Sequence, residues 1–314
     1  MFVLALPAGH LADRLPRQLV FGTALVLGAC VGTGLAAVTA AGVTSLQSAR
    51  RVRIRSGPAR MRAPGPGGSM AASRIESVAT PDGAFDLTVW LPAAGTGPGL
   101  LIIQEIYGVS DYIRAVAQEL AGLGYVVGAP DLFWRLTPGY QAAHDDAGLK
   151  ASLEMGSRFD FEQGVADAGA ALDQLAALPE VAGGTGVIGF CLGGSIAYFL
   201  ATGPGAAAPT AAISFYGSAV PDSLDDLERI SVPLQFHFGG SDPFISRDQV
   251  ARVERAAAGR ANVEMHVEED AGHAFHNRMA PMFHNPEPAA RAWRRTEEFL
   301  GRHLPVRDQA APTP

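Results

Sequence analysis

Cysteine is nearly absent from the 314-residue chain, which contains only Cys30 and Cys191. The two lie in regions of very different character, so they indicate neither a disulfide framework nor a cysteine-based zinc site. Charged residues are also few, at 18% of the chain against 48% hydrophobic residues. This balance is typical of a globular protein with a sizeable core, and it argues against general disorder.

Positive charge is scarce in most of the chain. Residues 1–69 hold eight of the 24 basic residues and a single acid, Asp13, which leaves 16 bases and 30 acids for the remainder. Nucleic-acid binding depends on clustered lysine and arginine side chains that neutralise phosphates. We therefore expect no nucleic-acid partner.

Residues 19–46 form an uncharged, largely apolar segment that is long enough to cross a bilayer. A basic and then Pro/Gly-rich stretch follows, as in a juxtamembrane segment or a linker. The stretch "GHLADRLPRQ" at 9–18 resembles a loop of major facilitator transporters, although one apolar segment cannot form a transporter bundle. Two interpretations stay open: a membrane anchor, or a misassigned start whose true position is Met70. We favour the second, which predicts an N-terminal extension at 1–69 and a cytoplasmic catalytic domain at 70–314.

The chain after Met70 alternates short apolar runs with amphipathic stretches. We predict strands at 85–91, 99–105, 125–129, 186–190, 211–215, 234–238 and 263–267. Helices are predicted after Ser110, over 159–178 and over 288–303, mainly from apolar residues at steps of three and four. This alternation predicts an α/β fold with a mostly parallel sheet that helices cover on both faces.

The segment "GVIGFCLGG" at 186–194 places Cys191 between a predicted strand and a helix that begins near Gly193. The form Gly-x-Cys-x-Gly at such a turn is that of a nucleophile elbow, and the helix N-terminus favours a thiolate. An isolated cysteine is more often a small core residue. The position of Cys191 after a buried strand favours a nucleophile instead.

Asp242 and His273 each follow a later predicted strand, at the carboxyl end where α/β folds build their sites. Taken alone, Asp242 would be a turn-forming residue in Gly-Ser-Asp-Pro, and His273 an ordinary loop residue. Nucleophile, acid and base nevertheless occur in the chain order of an α/β-hydrolase. Together these residues predict a catalytic triad.

Five motifs are spread over most of the chain after Met70. They are "QEIYGV" at 104–109, "PDLFWR" at 130–135, "GFCLGG" at 189–194, "GGSDPF" at 239–244 and "AGHAF" at 271–275. Through these motifs, residues 70–314 resemble the dienelactone hydrolase (carboxymethylenebutenolidase-like) family, which implies an α/β-hydrolase fold. The resemblance implies a triad of Cys191, Asp242 and His273. It also implies that Glu105 contacts the resting thiol and helps to activate it.

The resemblance further implies the residues that would hold a substrate. The backbone N–H groups of Leu192 and Ile106 match the family's oxyanion hole. Arg135 matches an arginine that grips a substrate carboxylate, and the neighbouring Trp134 is expected to shape the pocket. Typical dienelactone cleavers have a second such arginine four residues after the histidine, a position that is Asn277 here. This departure puts dienelactone itself in question as the substrate.

We therefore predict a cofactor-independent, monomeric hydrolase that cleaves a lactone or small carboxylic ester through a thioester-bound intermediate. No metal is expected, because His273, His276 and His284 lack the helical or carboxylate pattern of a metal site. The alternative hypothesis is a membrane-tethered binding or sensing module that uses the same pocket without turnover.

Overall fold

The computed structural model describes residues 73–203 and 208–306. The strands are β1 (Ser73–Thr80), β2 (Gly83–Trp90), β3 (Gly97–Ile103), β4 (Val126–Pro130), β5 (Val181–Phe190), β6 (Ala212–Phe215), β7 (Leu234–Gly239) and β8 (Val263–Glu268). The helices are α1 (Asp111–Gly122), α2 (Asp146–Ser157), α3 (Phe161–Ala176), α4 (Leu192–Ala201), α5 (Arg247–Ala257) and α6 (Pro286–His303), with short 3-10 helices at Val220–Asp222 and Leu224–Arg229. Strands and helices alternate from β3 onward, as the sequence pattern predicts.

The strands form one eight-stranded sheet in the order β1-β2-β4-β3-β5-β6-β7-β8. β2 pairs antiparallel with both β1 and β4, and the other neighbouring strands pair in parallel. The predicted mostly parallel sheet is therefore confirmed. From β3 the chain crosses first to β4 on one side and later to β5 on the other. Such a reversal opens a crevice at the carboxyl ends of the strands, where α/β folds bind ligands.

The centre of the sheet is covered on both faces. Every residue of β3 and of β4 is buried, which requires packing against each side of the sheet. Among the helices that provide it, α1 buries Ile113, Val116 and Leu120 on one face. The core of the domain therefore lies around the strands whose ends carry the candidate site residues.

The seven predicted strands are all present, with ends that differ by a few residues from the predicted ones. The sequence pattern does not predict β1, because this edge strand has a single buried residue, Val78. The predicted helix over 159–178 is α3, where Asp160 caps the N-terminus by accepting from the Gln163 N–H at 3.1 Å. The helix predicted after Ser110 is α1, but the Ser110 side chain makes no capping hydrogen bond.

No helix within residues 73–203 and 208–306 is both long and apolar enough to span a bilayer. The apolar segment 19–46 lies outside the described residues, as do Met70 and Cys30. The two interpretations of residues 1–69 therefore concern a part of the chain that the structure does not describe.

Candidate active site

Cys191 occupies the sharp turn between β5 and α4, with a backbone φ of 55° and ψ of −113°. A positive φ is strained for any residue that carries a Cβ. The flanking glycines make the turn possible: a Cβ on Gly189 would collide with the Gly193 carbonyl, and one on Gly193 with the Ile103 carbonyl. The turn therefore has the geometry of a nucleophile elbow, and it holds a partly exposed thiol at the end of a central strand.

Asp242 and His273 lie in the loops after β7 and β8, and both are buried. His273 Nδ1 is 2.7 Å from Asp242 Oδ2. The other carboxylate oxygen, Oδ1, accepts hydrogen bonds from the N–H groups of Phe244 at 2.7 Å and Ile245 at 3.1 Å. The carboxylate is therefore fixed by the backbone, and it orients the imidazole through Nδ1.

The protonation of His273 depends on its two neighbours. Burial alone would lower the pKa of His273, but the charge of Cys191 and the hydrogen bonds to Asp242 and Cys191 outweigh it and raise that pKa well above its usual value. Contact with the sulfur and with Asp242 therefore favours the protonated form of the imidazole. The three residues predicted as a triad are together in the folded chain.

Glu105 lies just beyond the end of β3 and is 2% exposed. Its Oε2 accepts a hydrogen bond of 2.6 Å from Asn277 Nδ2, and its Oε1 accepts a longer one of 3.4 Å from the Tyr216 hydroxyl. Burial raises the pKa of Glu105 to about 7, although the charge of His273 and the two hydrogen bonds act in the opposite direction. Glu105 is therefore a carboxyl group that titrates near neutrality within electrostatic reach of His273.

Asn277 stands where the resemblance expects a carboxylate-binding arginine, and it is completely buried. Its Oδ1 accepts from the Met279 N–H at 3.0 Å, while its Nδ2 donates to Glu105. Both ends of the amide are engaged, so its orientation is fixed. The sequence motifs do not indicate this contact, because 172 positions separate the two residues.

The predicted oxyanion-hole residues flank the elbow from two elements. Leu192 is the first residue of α4, and Ile106 follows Glu105 in the loop after β3. N–H groups in the first turn of a helix have no acceptor within the helix. Across the described loops, neither N–H donates to a backbone carbonyl. Both donors are therefore available, and their role in catalysis stays a prediction.

Arg135 is engaged by two carboxylates. Its Nε and Nη2 donate to Asp82 at 2.9 and 2.7 Å, and its Nη1 donates to Asp167. The guanidinium lies 4.1 Å from the centre of the Trp134 ring, and Trp134 Nε1 donates to Asp167 at 2.9 Å. All three guanidinium nitrogens thus have partners within the protein. The substrate contacts of Arg135 and Trp134 stay predictions.

Tyr107 and His144 form a pair that the sequence motifs do not indicate. Their ring centroids are 4.3 Å apart, and Tyr107 is 3% exposed. The Tyr107 hydroxyl and His144 Nε2 are buried, and neither has a hydrogen-bond partner in the part of the chain that the structure describes. Tyr107 lies two residues after Glu105 in the loop that follows β3, and burial and the charges of Glu105 and Cys191 raise its pKa. Tyr107 belongs to the "QEIYGV" motif, but nothing in the sequence connects it with His144.

A strained strand-to-helix turn with the geometry of a nucleophile elbow, at the carboxyl edge of a mostly parallel, helix-covered sheet, marks the α/β-hydrolase class. The profile of the dienelactone hydrolase family matches residues 85–304, and the chain belongs to that family. Among the described residues, no group of three or more His, Cys, Asp or Glu side chains could hold a metal ion.

Relatives and solved structures agree with this family. The chain is 34% identical to a carboxymethylenebutenolidase of a Pseudomonas species over 225 residues, which cover 71% of this chain and 92% of the relative. It is 28% identical over 215 residues to carboxymethylenebutenolidase 1 of Cupriavidus pinatubonensis, covering 68% and 90%. A solved Klebsiella pneumoniae structure assigned as a dienelactone hydrolase has a TM-score of 0.63 and 25% identity, covering 74% of this chain and all of the other.

The resemblance of residues 9–18 to a transporter loop finds no such support. The family match begins only at residue 85, and the first-named relatives are hydrolase-family proteins. A ten-residue loop motif shares too few positions with transporters to indicate their fold. The transporter resemblance is therefore set aside.

Proposed function

We propose that the protein hydrolyses a lactone or a small carboxylic ester with Cys191 as the nucleophile. Family membership and carboxymethylenebutenolidase relatives support hydrolysis of an ester or enol lactone. The observation that carries the role of Cys191 is its strained elbow position next to His273, which Asp242 orients. Nucleophile, base and orienting acid then act as a unit.

Acylation begins with attack of the Cys191 thiolate on the substrate carbonyl carbon. The carbonyl electron pair moves to oxygen, where the N–H groups of Leu192 and Ile106 stabilise the negative charge. When the tetrahedral species collapses, the ester C–O bond breaks and the departing oxygen takes the proton from His273. A thioester on Cys191 remains, and in a lactone the leaving oxygen stays attached to the acyl chain.

Deacylation reverses the proton flow. His273 accepts a proton from water as the water oxygen attacks the thioester carbon, and Asp242 stabilises the resulting imidazolium. The C–S bond breaks, which releases the carboxylic acid and regenerates the thiolate. Glu105 modulates the protonation of the thiol through its own charge, which changes near pH 7.

Replacement of the thiol tests the proposal directly. In the full chain, Cys191→Ala is expected to lower kcat/KM by about 1000-fold or more for an unsaturated five-membered lactone and for a nitrophenyl ester. Cys30→Ala is the matched control and should leave both values unchanged. Hydrolysis by Cys191→Ala at the rate of the unaltered protein would refute the role of Cys191.

The division of the chain into an extension at 1–69 and a catalytic domain at 70–314 stays part of the proposal, as do the cytoplasmic location and the monomeric state. The alternative of a non-catalytic binding module makes the opposite prediction in the same assay. It requires that the unaltered protein bind the lactone without releasing product.

A further inference from the structure

The amide of Asn277 cannot serve a substrate carboxylate in the observed arrangement. Its Nδ2 donates to Glu105 at 2.6 Å, and its Oδ1 is held by the Met279 N–H. An amide is also uncharged, so it could not neutralise a carboxylate even if it turned. Asn277 therefore makes a hydrogen bond to Glu105 within the protein, and it brings no positive charge that could bind a substrate carboxylate.

The two arginines that the sequence places closest to a carboxylate clamp are paired inside the protein as well. Arg135 donates to Asp82 and Asp167 through all of its guanidinium nitrogens. Arg278, one position after Asn277, donates to Glu119 at 2.9 Å. A substrate carboxylate would have to displace a carboxylate of the protein from Arg135, and Arg278 already shares its charge with Glu119 through Nη1.

The groups around the thiol would also repel an anion. Asp242 is a buried carboxylate, and Glu105 gains a negative charge as the pH rises past about 7. A thiolate on Cys191 adds a third negative charge, and the proton that His273 holds between Asp242 and Cys191 offsets only one of the three. A buried charge without a partner is strongly unfavourable, because desolvation is then not offset by attraction.

Neutral hydrogen-bonding groups are available instead. The Tyr107 hydroxyl and His144 Nε2 are both buried and have no partner among the residues that the structure describes. Burial lowers the pKa of His144, although the charge of Asp111 acts against this, so the ring is neutral near pH 7. A phenol and a neutral imidazole together offer donor and acceptor capacity without net charge.

We propose that Tyr107 and His144 form a polar subsite for an uncharged group of the substrate, and that the preferred substrates are uncharged lactones or esters. This inference rests on the proposed hydrolase function, whose substrate class it specifies. The subsite binds a carbonyl, amide or hydroxyl oxygen that the substrate carries beside its scissile bond. An enzyme selective for carboxylates would offer free arginine side chains. In this chain Arg135 and Arg278 are paired with protein carboxylates, whereas the neutral Tyr107 hydroxyl and His144 Nε2 have no partner among the described residues.

A matched pair of substrates tests the charge preference. The first is a five-membered unsaturated lactone with a carboxymethylidene substituent, and the second is its primary carboxamide, which has nearly the same shape without the charge. With the full chain we expect kcat/KM to be higher for the carboxamide by about tenfold or more. Equal or faster turnover of the carboxylate would overturn the inference.

The subsite is tested by removal of one hydroxyl. Tyr107→Phe is expected to raise KM for the carboxamide about fivefold to tenfold with kcat changed less than about twofold. Tyr125→Phe is the control, because the Tyr125 hydroxyl is also buried but donates to the Leu304 carbonyl. An unchanged KM in Tyr107→Phe would show that the phenol does not contact the substrate.

Binding separates this inference from the proposed function. Calorimetric titration of the full-length Cys191→Ala variant with each lactone measures affinity without any turnover. Tighter binding of the carboxamide supports the inference even if the protein proves not to hydrolyse lactones. Equal affinities, tighter binding of the carboxylate, or no binding of either compound would contradict it.

Discussion

Glu105 is hydrogen-bonded by two neutral groups, the Asn277 amide and the Tyr216 hydroxyl. A neutral donor stabilises a carboxylate less than a guanidinium would. Burial therefore dominates and raises the pKa of Glu105 to about 7. At the scale of single residues, an uncharged amide beside a buried carboxyl group leaves that group able to change its charge near neutral pH.

This raised pKa makes a stability prediction. The folded chain holds the Glu105 proton more tightly than the unfolded chain, so the stabilisation is complete below the unfolded pKa and is lost as the pH rises through about 7. Glu105→Gln has no such proton to lose. We expect the melting temperature of Glu105→Gln to rise relative to that of the unaltered protein between pH 4.5 and about 7, and then to level off.

The control for this measurement is Glu154→Gln, which removes an exposed carboxyl from α2. Its melting temperature should follow that of the unaltered protein at every pH. A pH-independent difference between Glu105→Gln and the unaltered protein would contradict the assignment of a raised pKa.

At the scale of elements, β8 and α6 are joined through one buried carboxylate. Glu268 ends β8 and has a side chain that is only 3% exposed, and it pairs with Arg291 and Arg295 of α6 at 2.7 Å each. The loop between β8 and α6 contains His273. The ion pairs therefore hold the helix against the strand that leads into the loop of His273, the proposed base.

Loss of the Glu268 charge should weaken this junction. We expect Glu268→Gln to lower the free energy of unfolding by about 1–2 kcal/mol. This loss is smaller than that expected for a fully buried ion pair, because both arginine side chains are more than a third exposed to solvent. Glu254→Gln is the matched control. Both side chains of the Glu254–Arg247 ion pair are exposed, so this pair should contribute about 0.5 kcal/mol or less to stability. Urea unfolding of both variants makes the comparison, and equal effects would rule out a special role for Glu268.

At the scale of the whole molecule, the sequence predicts those features that follow from local order along the chain. The parallel sheet, the elbow at Cys191 and the positions of Asp242 and His273 after their strands all depend on patterns within a few residues. The contact of Asn277 with Glu105 and the pairing of Arg135 with Asp82 depend on segments that are distant in sequence. Their partners are decided by packing, which periodicity and motif spacing do not encode.

Buried histidines give the whole molecule a sensitivity to acid. His276 Nδ1 shares a hydrogen bond of 2.8 Å with the Tyr112 hydroxyl, and its ring stacks on Trp293. Burial, together with the charge of Arg278, lowers the pKa of His276 to about 3. His237 is also completely buried, and burial lowers its pKa well below the usual value. The unfolded chain binds protons at these positions more readily than the folded one.

The sign of this effect follows from the lowered pKa values. Stability is fully present above the unfolded histidine pKa near 6.5 and is lost as the pH falls toward about 3. We expect His276→Gln to reduce the slope of the free energy of unfolding against pH by the contribution of about one bound proton. Urea unfolding at several pH values measures this slope. His303→Gln, at the C-terminal end of α6, should keep the original steepness. An identical pH dependence in His276→Gln would contradict the prediction.

The strained turn at Cys191 has a consequence for how such an enzyme can change over evolution. The backbone dihedral angles and the two flanking glycines set the position of the reactive atom, and they impose the same strain on any side chain at that position. Serine differs from cysteine by one atom and fits the same backbone. The chemical identity of the proposed nucleophile is therefore separable from the backbone that presents it. A lineage with this fold can exchange a thiol for a hydroxyl by one substitution while the proposed acid and base, Asp242 and His273, remain in place.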